Sequence, residues 1–330
     1  MSRIALIGAG AWGTALALTF ARSQKHGVAL WVHREEHASA MLSARENTRY
    51  LPGVPLPPEI SITASLQDAI TQTDIVFLVT PSEHLPATVQ KLAPFLTANQ
   101  TIISATKGLQ AETHLRMSQV IQHHTTAPIA VLSGPTFAQE LAAGMPTACV
   151  IASEDAALTR HLQQTLSSSE LRIYRSTDVT GVELGGALKN IIAIAAGMVV
   201  GLELGSNALA ALITRGMAEI TRLAVACGAE PQTLSGLAGM GDLILTCTGP
   251  LSRNRSVGLE LGKGRKLPEI LSAMNGKVAE GVRCTAAALA LAADNNIEMP
   301  ITAQIDAILH HGLSPRDAMR ALMGRPGAAE

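Results

Sequence analysis

The sequence predicts a doubly wound, mostly parallel α/β sheet in residues 1–180, followed by an all-α domain in residues 181–330. Short aliphatic runs alternate with helical patterns in the first half, and these runs are apolar throughout, as in strands covered on both faces. After about residue 178 the strand signals stop and helical periodicity continues alone. The 330 residues allow two ordinary domains or one large one, and the 47% of them that are hydrophobic make a sizeable core available.

Six aliphatic runs predict the strands of the sheet. They are "IALIG" (4–8), "VALWVH" (28–33), "DIVFLVT" (74–80), "TIISAT" (101–106), "IAVLSG" (129–134) and "TACVIAS" (147–153). Helical stretches such as "WGTALALTFARSQ" lie between them, and this alternation implies parallel strands joined by right-handed crossovers. The proline- and glycine-rich "RYLPGVPLPPEI" predicts an irregular surface loop.

The second half predicts a set of packed helices. Gly228 and Gly312 are placed as C-terminal caps, and Pro300 suits the start of a helix. The charge-free stretch "IIAIAAGMVVGL" (191–202) is shorter than the roughly 20 residues that a bilayer span requires, so it predicts a buried helix and no membrane insertion.

The composition of the chain indicates which kinds of molecule it does and does not bind. Net charge is −1 and aromatic residues are 2% of the chain, which argues against nucleic acid and anionic membranes as partners. The four cysteines lack CxxC spacing, so neither a zinc site nor a redox dithiol is expected. The stretch "MSRIALIGAG" is too short, and its glycines come too early, for the pattern of a signal peptide, so we expect a cytoplasmic protein that acts on a small molecule.

A GxGxxG pattern, Gly8, Gly10 and Gly13, directly follows the first predicted strand and opens a helix. In a Rossmann-type fold the first glycine permits the tight turn, the second lets the pyrophosphate approach the backbone, and the third allows close helix–strand packing. The second strand then ends at His33 and Arg34, where an arginine can hold the 2′-phosphate of NADP. The alternative for this pair is a solvated charged turn.

Polar residues also follow later strands and one glycine-rich stretch. Lys107 and the segment 133–140 come where ligands bind in doubly wound sheets, although Lys107 alone is equally consistent with an exposed loop lysine. In "GLAGMGDLILTCTGPLSRNRS" (236–256), Asp242 is the only acid and requires a cationic partner. Ser252 is predicted as an N-cap, so that the Arg253 guanidinium and the helix N–H groups can meet a phosphate; a basic surface turn is the alternative.

Lys189 lies in the apolar helical stretch "ELGGALKNIIAIAAGMVV" (183–200). Such a lysine must extend to water, pair with a carboxylate or lose proton affinity. A lysine near a ketone that is being reduced can stabilise the developing negative charge and donate the proton. Asn190 can bind substrate or hold the surroundings of the lysine in place. We expect Lys189→Met to nearly abolish turnover while leaving the fold and cofactor binding intact.

The ordered motifs "GAGAWGTALA", "ATKGL", "SGPTFAQELAAGMPT", "LGGALKNIIAIAAGM", "GMGDLILTCT", "SRNR" and "VAEGVR" resemble those of bacterial NAD(P)-dependent glycerol-3-phosphate dehydrogenases. The resemblance runs from residue 3 to about residue 324. It implies interconversion of dihydroxyacetone phosphate and sn-glycerol 3-phosphate with NADPH or NADH, in a cytosolic homodimer that supplies phospholipid synthesis.

The resemblance also implies site residues. Those expected to bind the cofactor are Gly8, Gly10, Ala11, Trp12, Gly13, His33, Arg34, Lys107, Ala138, Arg253, Val278 and Glu280. Those expected to bind the substrate are Lys107, Gly134, Thr136, Lys189, Asn190, Asp242, Ser252, Arg253 and Asn254. Lys189 is the expected proton donor and acceptor, and no metal is expected. Ala11 stands where relatives often have serine, which would remove one hydroxyl contact to the cofactor.

Two other functions share much of this pattern. A β-hydroxyacid-type dehydrogenase would use the same fold, but Lys107 with the Arg253–Asn254 turn suits a phosphate better than a carboxylate. A non-catalytic NAD(P)-binding protein would not need Lys189, Asp242 and Arg253 together.

Overall fold

A computed structural model describes residues 2–274 and 279–326. The chain forms two compact units, Met1–Lys107 with Leu115–Val182, and Gly108–His114 with Glu183–Glu330. The sequence predicts a boundary at 180/181 and does not indicate that the short segment Gly108–His114, after the fourth predicted strand, belongs to the helical unit.

The first unit contains one eight-stranded sheet and one short hairpin. The strands, in chain order, are β1 (Ser2–Ile7), β2 (His26–Trp31), β3 (Glu46–Asn47), β4 (Leu51–Pro55), β5 (Ile60–Thr63), β6 (Ile75–Leu78), β7 (Thr101–Ser104), β8 (Ile129–Ser133), β9 (Thr147–Ala152) and β10 (Leu171–Ser176). The sheet order is β10-β9-β8-β7-β6-β1-β2-β5, and β3 pairs with β4. All pairs in the sheet are parallel except β8–β9, which confirms the predicted mostly parallel, doubly wound class.

All six predicted strands are present, and the strands that the sequence analysis missed lie mainly at sheet edges. β5 and β10 alternate buried with less buried residues, since an edge strand is covered less completely than a central one. A search for continuous apolar runs does not detect that pattern. The segment predicted as an irregular loop contains β4 and the start of β5.

Helices cover both faces of the sheet. They are α1 (Ala11–Arg22), α2 (Glu35–Ala44), α3 (Leu66–Ile70), α4 (Leu85–Leu92), α5 (Met117–Gln122), α6 (Ala138–Ala142) and α7 (Ala156–Leu166). Alternate residues of β1 enter different cores: Ile4 and Leu6 pack in one, Ala5 and Ile7 in the other. The strand β1 is therefore covered by apolar side chains on both faces of the sheet.

Residues 183–274 and 279–326 of the second unit are mainly helical, and α8 also includes the last residues of the first unit. The helices are α8 (Val179–Gly201), α9 (Gly205–Ala226), α10 (Pro231–Ser235), α11 (Asp242–Thr248), α12 (Arg253–Gly262), α13 (Leu267–Ala273), α14 (Glu280–Asp294), α15 (Pro300–His310) and α16 (Pro315–Met323), with a π-helical turn at Leu237–Gly241. Pro300 starts its helix as predicted, and Gly228 (φ +93°) and Gly312 (φ +74°) follow helix ends.

Helix α8 is the core helix of the second unit. Among the described residues it alone is long and apolar enough to cross a bilayer by length and composition, and 83% of its most apolar window is buried inside the protein. Its residues from Leu184 onward pack against the other helices of this unit. The prediction of a buried helix is confirmed.

Candidate active site

The three glycines after β1 have distinct geometries. Gly8 has φ +128°, a conformation that favours glycine, and a Cβ at Gly13 would lie 1.9 Å from the Gly8 carbonyl oxygen. A Cβ at Gly10 would have no atom within 4 Å. The tight turn and the close helix–strand contact are as predicted, and Gly10 leaves open space at the N-terminus of α1, next to Ala11 and Trp12.

His33 and Arg34 follow β2 as exposed residues. The His33 ring lies edge-on to Trp31 with ring centroids 5.6 Å apart, and Arg34 directly precedes the first turn of α2. The Arg34 side chain is therefore accessible to an anion. His37 instead contacts Asn47 through Nε2, and no metal-binding cluster of histidine, cysteine or acidic residues occurs within residues 2–274 and 279–326.

Lys107, Gly134 and Thr136 come together at the carboxyl ends of β7 and β8. The Lys107 ammonium donates to the Gly134 carbonyl oxygen at 3.0 Å, and the Thr136 hydroxyl donates to the same oxygen at 3.1 Å. Gly134 has φ +143°, and a Cβ there would lie 2.9 Å from Cys149 Cα. Lys107 is thus half-buried and anchored, unlike an exposed loop lysine. Ala138 follows as the first residue of α6.

Lys189 pairs with Asp242 inside the helical unit. Its Nζ donates to Asp242 Oδ1 and also, at 2.8 Å, to the hydroxyl of Thr246. That hydroxyl in turn donates to the Asp242 carbonyl oxygen at 2.6 Å, one helical turn away. Lys189 is 6% exposed and Asp242 1%. The lysine is therefore buried by pairing with a carboxylate, and it is the cation that Asp242 requires.

Ser252, Arg253 and Asn254 open α12. The Ser252 hydroxyl accepts the Arg255 N–H at 3.2 Å, which confirms the predicted N-cap, and Arg253 is exposed. Although the residue as a whole is exposed, nearby protein atoms partly desolvate the guanidinium and lower the pKa of Arg253, and the Glu280 carboxylate partly offsets this effect. Glu280 is the first residue of α14, while Val278 lies outside the described residues.

Asn190 and Asn254 contact each other. Asn254 Nδ2 donates to Asn190 Oδ1 at 2.9 Å, and Asn254 Oδ1 accepts the Gly281 N–H at 3.0 Å. Both side chains are buried. Sequence reasoning did not identify Thr246 or Gly281. Thr246 could have been found because it follows Asp242 at i+4 on one helix face, whereas no local pattern indicates the contact of Gly281.

Comparisons with known proteins point to one family. A family model described as the N-terminus of NAD-dependent glycerol-3-phosphate dehydrogenase matches residues 3–159, and one described as its C-terminus matches residues 178–320. Glycerol-3-phosphate dehydrogenase [NAD(P)+] of Acidobacterium capsulatum is 55% identical and that of Koribacter versatilis 53%, with each alignment covering at least 99% of both chains.

A solved structure agrees with the sequence relatives. The crystal structure of glycerol-3-phosphate dehydrogenase from Coxiella burnetii superposes with a TM-score of 0.94 at 41% identity, covering 98% of this chain and 99% of that one.

Proposed function

The chain belongs to the NAD-dependent glycerol-3-phosphate dehydrogenase family, and we propose that it interconverts dihydroxyacetone phosphate and sn-glycerol 3-phosphate with NADPH or NADH. The observation that carries the chemistry is the buried Lys189, held by Asp242 and Thr246 on a helix that is otherwise apolar. A buried ammonium with this support is unusual in a core and is suited to proton transfer.

The glycine turn of the first unit fits a dinucleotide. Gly8 and Gly13 bring strand and helix together, and the open space at Gly10 leaves room for a pyrophosphate at the N-terminus of α1, beside Ala11 and Trp12. His33 and Arg34 would hold the adenosine end, with Lys107, Ala138, Arg253, Val278 and Glu280 as further expected contacts. A nicotinamide cofactor held by these residues would supply the hydride for reduction and accept it in the reverse direction.

Substrate residues are proposed in each unit. In the first, Lys107 and Thr136, anchored to Gly134, would bind polar groups of the substrate. In the second, the Arg253 guanidinium and the N–H groups at the start of α12 would bind the phosphate. The other proposed substrate-binding residues of the second unit are Asp242, Asn190, Ser252 and Asn254.

Lys189 would move the proton. Reduction of the ketone leaves negative charge on its oxygen, which the ammonium stabilises before it donates a proton to form the alcohol. In the reverse direction the neutral amine accepts the hydroxyl proton. Asp242 and Thr246 hold the Lys189 Nζ in place, so little conformational entropy of the lysine side chain remains to be lost in the reaction.

The direct test is the oxidation of NADPH and of NADH by the purified protein, followed at 340 nm with dihydroxyacetone phosphate. We expect turnover with this substrate and far less with β-keto acids. Turnover only with a keto acid would indicate a β-hydroxyacid-type dehydrogenase. Cofactor binding without turnover of any of these substrates would indicate a non-catalytic protein.

We also propose that the protein is a cytoplasmic homodimer that supplies glycerol 3-phosphate for phospholipid synthesis, as the family resemblance implies. Light scattering of the purified protein would give the mass in solution, for which we expect twice the 34.4 kDa of one chain.

A further inference from the structure

Three helices of the second unit meet at one buried hydrogen-bonded junction. Asn190 on α8, Asn254 on α12 and Gly281 on α14 form it. The amide of Asn254 stands in the centre, since its nitrogen donates to Asn190 and its oxygen accepts from the backbone of Gly281. Asn190 is 5% exposed and Asn254 8% exposed.

Each junction residue is the direct neighbour in the chain of a proposed site residue. Lys189 precedes Asn190, Arg253 precedes Asn254, and Glu280 precedes Gly281. A displacement of any one helix at the junction therefore moves a proton donor, a phosphate ligand or a cofactor ligand by a similar amount.

Backbone contacts leave little room for such displacement. A Cβ at Gly281 would lie 2.5 Å from the Asn190 carbonyl oxygen, so α14 touches the backbone of α8 there. A Cβ at Gly258 would lie 1.8 Å from the Ile194 carbonyl oxygen, and one at Gly197 would lie 2.0 Å from that of Arg255. The spacing of these helices is thus set by rigid backbone rather than by side chains that can change rotamer.

We propose that Gly281 and Asn254 are positioning residues that hold Lys189, Arg253 and Glu280 in one fixed arrangement. The inference rests on the proposed function and gives a role to Gly281, which lies in the VAEGVR motif but was not among the expected site residues. It also gives Asn254 a task besides binding phosphate. Misplacement of reacting groups by about 1 Å can cost 10²-fold in rate, so a small shift at the junction is sufficient to impair catalysis.

The test compares two substrates in two variants. Gly281→Ala inserts a methyl group against α8, and Asn254→Ala removes both hydrogen bonds of the junction. For each variant we expect kcat to fall about 10- to 100-fold with dihydroxyacetone phosphate and at least about 10-fold with unphosphorylated dihydroxyacetone, because the position of Lys189 matters for both substrates whereas that of Arg253 matters only for the phosphorylated one.

A matched control separates positioning from loss of stability. The carboxylate of Glu219 on α9 accepts the N–H groups of Ile301 and Thr302 at the start of α15, outside the junction. Glu219→Ala should lower the melting temperature but keep kcat per folded molecule, and folded protein is quantified by circular dichroism. If Gly281→Ala does not fold, Asn254→Ala decides the question.

Two results would overturn the positioning role, and a third would overturn the proposed function itself. Wild-type kcat in a folded Gly281→Ala or Asn254→Ala variant would overturn it. A loss in Asn254→Ala confined to the phosphorylated substrate would show a phosphate ligand and would also overturn the positioning role. If the unmodified protein fails to reduce dihydroxyacetone phosphate, the proposed function fails first, and the variants are not needed to see it.

Discussion

The Lys189 ammonium on α8 and the Asp242 carboxylate at the start of α11 form an ion pair between residues 53 positions apart in the chain. Both side chains are almost wholly removed from water. In such surroundings the loss of one partner leaves the other as an uncompensated buried charge, which typically costs about 3–5 kcal/mol. The pair therefore links the stability of the helical unit to the group proposed to move the proton.

This pairing revises what Lys189→Met should do. Turnover should fall by at least about 10²–10⁴-fold, as for loss of a general acid, but the fold should also lose stability because Asp242 is left unpaired. Denaturant unfolding with kinetics would measure both effects. Adding Asp242→Asn should restore part of the stability and none of the activity. Near wild-type activity in Lys189→Met would remove the lysine from the mechanism.

Gly10 and Gly13, both in the turn and helix that follow β1, should respond differently to alanine. Gly13→Ala should unfold or severely destabilise the first unit, because its Cβ would overlap the Gly8 carbonyl oxygen. Gly10→Ala should fold normally, because its Cβ meets no protein atom within 4 Å, yet it should bind NADPH weakly, since the methyl group occupies the space left for the pyrophosphate. Fluorescence titration with NADPH and thermal melting test both, and unchanged NADPH affinity in Gly10→Ala would contradict the proposed cofactor site.

Arg34 should discriminate between the two cofactors. It is exposed beside His33 at the end of β2, where a 2′-phosphate would be bound. We expect Arg34→Ala to raise KM for NADPH much more than KM for NADH, because only NADPH carries that phosphate. Steady-state kinetics with each cofactor measure the difference, and equal effects would mean that Arg34 does not bind the phosphate.

Arg253 should act on the substrate phosphate. A charge-assisted hydrogen bond contributes about 1.5–3 kcal/mol, so Arg253→Ala should weaken dihydroxyacetone phosphate roughly 10- to 100-fold. Arg253→Lys should recover only part of the loss, because an ammonium cannot make the two-pronged contact. Unphosphorylated dihydroxyacetone provides the comparison. The same loss on both substrates would exclude Arg253 as the phosphate ligand.

His26 should make the first unit sensitive to acid. Burial lowers its pKa from 6.5, contacts with the backbone of Thr165 and Ser2 partly offset this, and its Nδ1 has no hydrogen-bond partner within the described residues. Because the folded state binds the proton less tightly than the unfolded state, the stability from neutral His26 is present above pH 6.5 and lost as pH falls below it.

The pH dependence can be isolated by substitution. His26→Leu should lose less stability than the unmodified protein between pH 7.5 and pH 5 in urea unfolding. His123→Leu, at an exposed position, should behave like the unmodified protein. An identical pH dependence in His26→Leu would show that other groups control acid sensitivity.

Local patterns in the sequence determined the two-part fold, the glycine turn and the N-cap at Ser252. These features depend on short-range physics: apolar periodicity, the φ angles that glycine alone adopts readily, and the orphan N–H groups of a helix start. The sequence also showed that Asp242 requires a cationic partner and that Lys189, in an apolar helix, requires contact with water, a carboxylate partner or a lower proton affinity.

The tertiary structure decided which residues satisfy those needs. Asp242 and Lys189 are each other's partner, Thr246 supports both, and Asn254 joins Asn190 to Gly281. The half-covered edge strands β5 and β10 and the return of residues 108–114 to the helical unit were likewise not predicted. The reason is that a buried polar or charged side chain requires a partner, which the local sequence can indicate. The identity of that partner depends on which distant residues the folded chain brings together.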